Sequence, residues 1–76
     1  MSEPTDDQAT VAVTLNGEAR GVQAGWSVLD LVLSLGRDPR TVAVERNGDL
    51  VSRADFAAAT LRAGDRLEVV HFVQGG

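Results

Sequence analysis

Helix signals gather in one stretch of this chain, "GWSVLDLVLSLGRDP" (residues 25–39), while most of what surrounds it alternates with a period of two. Ser27 is a good N-cap, and Asp30 three residues later completes an acidic version of the capping box. Trp26 before the cap and Leu31 at the fourth helical position are spaced for a hydrophobic staple. Val28, Leu31, Val32 and Leu35 fall on one face by i, i+3, i+4, i+7 spacing. Gly36 supplies a left-handed cap, and Pro39 forbids continuation. The valines give weak helix propensity, so this helix must be held by packing rather than by its own backbone. A lone amphipathic helix among strands has one place to go, the face of a sheet.

The strands can be read on either side of it. In "TVAVTLNGEARGVQ", Val11, Val13 and Leu15 point one way and Thr10, Ala12 and Thr14 the other, as in a half-buried strand. Asn16-Gly17 is a strong hairpin signal, because both residues tolerate the positive φ of a type I′ turn. The return strand, Glu18–Gln23, is weakly apolar and contains Gly21, which suits an edge. In "TVAVERNGDLVS", Val42 and Val44 alternate with Ala43 and Glu45, and Asn47-Gly48 marks a second hairpin before a short strand, Asp49–Val51. A helical turn is expected around Arg53–Phe56, with Leu61 packed inward and a turn at Ala63-Gly64-Asp65. The last strand, "RLEVVHFV", carries apolar residues on both faces, Leu67 and Val69 on one and Val70 and Phe72 on the other. That pattern predicts a central strand.

A helix that leaves the first hairpin must cover one face of the sheet and return by a right-handed crossover. The most economical product is an α+β domain in which a mixed sheet clasps one main helix, with the last strand central, beside the first and parallel to it. This is the β-grasp or ubiquitin-like roll. The expected organisation is a mobile leader over 1–8, a β-grasp domain over 9–73 and a flexible C-terminal tail over 74–76.

Composition narrows the chemistry. A chain of 76 residues buries only about 60% of its unfolded surface, so one modest core is expected. There is no cysteine and one histidine, His71, which removes thiolate chemistry and any site needing two imidazoles. A net charge of -4 argues against a nucleic-acid face. "MSEPTDDQ" lacks the basic and apolar regions of a signal peptide, and no apolar run approaches a membrane span. A cytoplasmic protein, monomeric when free, is the simplest expectation. All seven bases are arginine. Schiff-base chemistry on a lysine is excluded, and so is service as an isopeptide acceptor through one.

The chain closes "HFVQGG". Its α-carboxyl group, with an ordinary pKa of about 3.3–3.7, is an anion at neutral pH and a poor acyl donor until activated. Attack on an ATP phosphorus would convert it to an acyl-adenylate in a partner's site. Two glycines suit threading into such a site, since they carry no side chain and have unrestricted φ. Gln74, Gly75 and Gly76, fully extended, reach roughly 10 Å beyond the last strand.

The stretches "VTLNGE", "VAVERNGDLVSR" and "LRAGDRLEVVHFVQGG" resemble the ThiS family, the small sulfur carriers of thiamin biosynthesis, from about Val11 to Gly76. The resemblance implies a β-grasp fold and a cycle run by other proteins. An E1-like adenylating enzyme uses ATP to activate the terminal glycine, a sulfur donor protein converts it to a thiocarboxylate, and thiazole synthase takes the sulfur. Carried onto this chain, Gly76 is the site of adenylation and thiocarboxylation, and Gln74, Gly75 and Gly76 form the segment threaded into partners. Gln74 stands where family members often have a third glycine. The chain itself is then a carrier and not an enzyme, with no stably bound cofactor and no metal.

Other residues are weaker candidates. Val70 and Phe72 are candidates for a docking surface at the root of the tail, with at least one of them expected in the core. His71 and Trp26 are expected to be packing residues; the arginines at 46, 53, 62 and 66 to be solvated; Asp65 and Asn47 to serve their turns. Within the carrier class the alternatives are the small subunit of molybdopterin synthase and a carrier for another sulfur pathway. From other classes come a passive ubiquitin-like binding module and a protein-conjugating modifier.

Overall fold

A computed structural model describes residues 9–72. The leader over 1–8 and the tail over 74–76 lie outside the described residues. Five strands run β1 (Thr10–Leu15), β2 (Glu18–Gln23), β3 (Val42–Arg46), β4 (Asp49–Val51) and β5 (Arg66–His71), with the helix α1 (Val28–Ser34) between β2 and β3. They form one sheet in the order β2-β1-β5-β3-β4. β5 is parallel to β1 and antiparallel to β3. The expected β-grasp architecture is what the chain adopts.

Both hairpins follow from their turn residues. Asn16 and Gly17 have φ of 50° and 86°, and Asn47 and Gly48 have 54° and 91°, the left-handed pair that a twisted two-residue hairpin demands. β2 is the outer strand on one side, where only Val22 is buried.

The helix is short, and the chain accounts for every N–H of its first turn. Ser27 N–H donates to Asp30 Oδ2 at 2.9 Å, and Asp30 N–H donates to Ser27 Oγ at 3.2 Å. Val28 and Leu29 N–H donate to the carbonyls of Ala59 and Phe56 at 2.9 and 3.0 Å. The connection over 56–61 therefore caps the helix as fully as its own N-cap does, and it leaves none of these donors unpaired. At the other end, Gly36 N–H donates to Leu33 O and Arg37 N–H to Val32 O, the paired bonds of a Schellman motif.

Val28, Leu31 and Val32 of the helix are fully buried against Val13, Leu15, Val22, Val42, Val44 and Leu67 of the sheet, with Phe56 and Leu61 closing one end. Each such side chain contributes roughly 1.5–3 kcal/mol relative to exposure. Trp26 packs partly buried at the margin of this core and donates from Nε1 to Gln23 Oε1 at 3.2 Å.

One expectation fails. Val70 is 56% exposed and Phe72 45% exposed, so neither belongs to the core. β5 is central, but not because it is buried on both faces. Among the described residues the single α-helix covers one face of the sheet and no other element covers the second. β5 lies inside the sheet because both of its edges are paired.

Candidate functional site: the exit of the central strand

β5 leads toward the C-terminus, so its last residues define where the chain from 73 onward begins. Gln74, Gly75 and Gly76 lie outside the described residues. The exit itself is described. On its β3 side the ladder continues past the strand, with Phe72 N–H donating to Thr41 O at 2.8 Å. On its β1 side the ladder is brief: only Thr14↔Arg66 and Leu15↔Leu67 pair before β1 turns away. The next position is filled by a side chain. Asn16 Oδ1 accepts from Val69 N–H at 2.8 Å, and Asn16 Nδ2 approaches Val69 O at 3.4 Å.

Two surfaces flank this exit. On the open face, Val70 and Phe72 stand with Ala43 and with Leu50, itself 71% exposed. Phe72, Leu50 and Ala43 help line a shallow groove beside Val51 and Phe56. Glu45 sits in register opposite both Glu68 and Leu50, so two like charges border the apolar patch. On the helix side, a cleft lies between Leu15, Asn16, Leu35, Arg37, Val69 and His71.

His71 is exposed at the rim of that cleft. Arg46 is not merely solvated: its guanidinium donates to Thr60 O at 3.1 Å and lies 3.6 Å from Asp65 Oδ2. Asp65 does more than shape a turn, since it is buried and accepts from Arg62 N–H and Asn47 Nδ2. The sequence reading missed Leu50 and the reach of both asparagine side chains. Leu50 was findable: Val51 pairs with core Val44, so its neighbour must point to the other face. Among the described residues no cluster of three or more His, Asp or Glu could hold a metal ion. No helix among them is long and apolar enough to cross a membrane.

The arrangement is that of a small ubiquitin-like domain whose central strand is the last among the described residues. The ThiS family model matches residues 9–76, and the chain belongs to the ThiS family. Among solved structures it is similar to the crystal structure of the thiamine biosynthesis protein ThiS from Geobacter metallireducens. The two share 32% identity and a TM-score of 0.74, over 87% of this chain and 100% of that one. The solution structure of a thiamine biosynthesis protein from the same organism gives a TM-score of 0.72, over 88% of its length. Two curated relatives are each named thiazole synthase. That of Magnetococcus marinus is 45% identical over 64 residues, and that of Paramagnetospirillum magneticum is 42% identical over the same length. Each match covers 84% of this chain but only 20% of the relative, so the chain spans about a fifth of these proteins.

Proposed function

We propose that this chain is a sulfur carrier for the thiazole of thiamin and that its reacting group is the Gly76 carboxylate. The observation that carries the reading is the family match, which runs through the Gly75-Gly76 end of the chain. In the proposed cycle a carboxylate oxygen of Gly76 attacks the α-phosphorus of ATP in an E1-like enzyme, releasing pyrophosphate. Sulfide-level sulfur, delivered by a donor protein, then displaces AMP from the acyl-adenylate and leaves a thiocarboxylate. Thiazole synthase takes that sulfur.

The domain's part is delivery. β5 is held on both edges as far as Val69 and on its β3 side through Phe72, which gives the tail a point of departure, and Gln74, Gly75 and Gly76 would enter the partner's site. The open-face residues Leu50, Val70 and Phe72 are suited to docking, since an exposed apolar cluster beside the exit is the kind of surface partners cover. Catalytic groups and ATP would come from the partner, and the carrier itself would not act as an enzyme. The two thiazole synthase relatives favour this acceptor over a pterin precursor.

The test is intact-mass measurement after incubation with the thiamin-pathway activating enzyme, ATP and a sulfide source. The expected result is a gain equal to one oxygen replaced by sulfur, located at Gly76 and lost when Gly76 is deleted. No gain with an enzyme active on another carrier would remove the reading and leave a passive binding module in its place.

A further inference from the structure

We propose that Asn16 is a positioning residue for the carrier end of the chain, its side-chain amide replacing a missing residue of β1 to hold the last part of β5. The proposal rests on the carrier reading above, and its test separates the two.

The parallel ladder between β1 and β5 alternates regularly. Thr14 N–H donates to Asp65 O at 2.9 Å, and Asn16 N–H donates to Leu67 O at 2.8 Å. The next rung should serve Val69: a straight β1 would accept its N–H at the backbone carbonyl of Asn16 and donate to its carbonyl from residue 18, but Asn16 already lies in the turn. Residue 18 is unavailable, because the chain reverses at Asn16-Gly17 and Glu18 already pairs back with Leu15. Val69 would then lose its β1-side partners. Asn16 supplies both from its side chain: Oδ1 accepts the Val69 N–H at 2.8 Å, and Nδ2 faces the Val69 carbonyl at 3.4 Å. A carboxamide presents the same acceptor and donor as a peptide unit, so it can substitute for one.

This bond joins residues 53 apart and is the final β1-side anchor of β5 among the described residues. Beyond it, His71 and Phe72 are held by β3 and by Thr41 alone. The turn does not need this side chain. A type I′ turn accepts glycine as well as asparagine at its first position, and Asn16 has a φ of 50° that glycine adopts freely. Turn formation and anchoring are therefore separable by one substitution.

Asn16→Gly keeps the turn and removes the anchor. Asn16→Asp keeps an acceptor for Val69 N–H but turns a second oxygen toward Val69 O. Two measurements are made on each variant: backbone 15N relaxation at Val69, His71 and Phe72, and steady-state adenylation of the carrier by its activating enzyme. Ordering a freed residue on binding costs enough to weaken the encounter about tenfold. The expected result for Asn16→Gly is lower order at His71 and Phe72, and a KM for the carrier raised about tenfold with kcat within about twofold. Asn16→Asp should fall between Asn16→Gly and wild type.

Equal KM in Asn16→Gly and wild type would overturn the proposal while leaving the carrier reading intact. So would a raised KM with His71 and Phe72 as ordered as before, because the loss would then not act through β5. Absence of adenylation in the wild-type protein is the separate result that removes the carrier reading itself, and the positioning role with it.

Discussion

Asn47 and Asp65, 18 residues apart in sequence, meet at the entrance to β5, where Asn47 Nδ2 donates to Asp65 Oδ1 at 3.1 Å. Asn47 Oδ1 in turn accepts from Arg66 N–H at 2.8 Å, and Asp65 Oδ2 accepts from Arg62 N–H at 2.9 Å. The second hairpin is thus tied by side chains to the point where β5 begins, as the first is tied to its middle at Val69. Asp65→Ala strands two donors at a mostly buried position, which costs about 1–3 kcal/mol. In a domain of this size each kcal/mol lowers Tm by about 4–8 °C. Thermal melting followed by circular dichroism should register the loss, and an unchanged Tm would mean that water replaces the carboxylate at no cost.

Glu45 and Glu68 face each other across β3 and β5 on the open face. Like charges directly opposite destabilise a sheet, so Glu68→Gln should raise stability by a few tenths of a kcal/mol at low salt. The same substitution should weaken association with the activating enzyme if a partner cation sits between the two carboxylates. Denaturant titration and a binding assay on one preparation test both halves. Tighter binding by Glu68→Gln would rule the cation out.

Leu50 is so exposed that its removal should leave the core alone. For Leu50→Ser the expected change in stability is within about 0.5 kcal/mol, while the KM of the activating reaction rises. A lowered Tm with an unchanged KM would show that the side chain serves the fold rather than docking.

Gly36 ends the helix at a φ of +74°, with open space where a Cβ would lie. The penalty for a side chain there is purely conformational. Gly36→Ala should cost about 1–2 kcal/mol and Gly36→Asn less, since asparagine tolerates the left-handed region. Equal Tm values for the two variants would contradict this.

Asp38 accepts hydrogen bonds from the Arg40 side chain and backbone, at 2.9 Å from both Nη2 and N–H. The side-chain bond, then the backbone bond, holds the Asp38 carboxyl below the usual carboxylate range. A lowered folded-state pKa makes the contribution complete above the unfolded value and lost as pH falls through the folded one. The pair is exposed, so the effect on stability is small. A carboxyl 13C titration should give Asp38 a lower midpoint in the wild-type protein than in Arg40→Gln, and equal midpoints would discount the pair.

The sequence carried the fold where a local rule decided the matter. Ser27 with Asp30, Gly36 and the two Asn-Gly turns each behave as their chemistry dictates, and the boundaries of β2 and β4 follow from them. Long-range roles were not legible. Nothing in the spacing of Asn16 or Asn47 says that an amide already committed to a turn will also serve a strand far along the chain. The expectation that at least one of Val70 and Phe72 would lie in the core failed for a similar reason. An apolar residue facing outward reads like one facing a second layer, and only the existence of a single helix says that the second layer is absent. Gly75 and Gly76, on which the proposed chemistry rests, lie outside the described residues.

The position of β5 also bears on how the chain comes to fold. The strand that joins the two hairpins follows both of them in sequence, so a chain halted before Arg66 has a hairpin, a helix and a second hairpin without the element between them. Its pairing with β1 closes a long loop, and non-local closure of that kind slows folding. The rate-limiting step should therefore be the insertion of β5 between β1 and β3. During synthesis, the native sheet can form only after residues 66–71 have emerged. A lesion in β5 should slow folding, whereas one at the outer edge of β2 should mainly hasten unfolding.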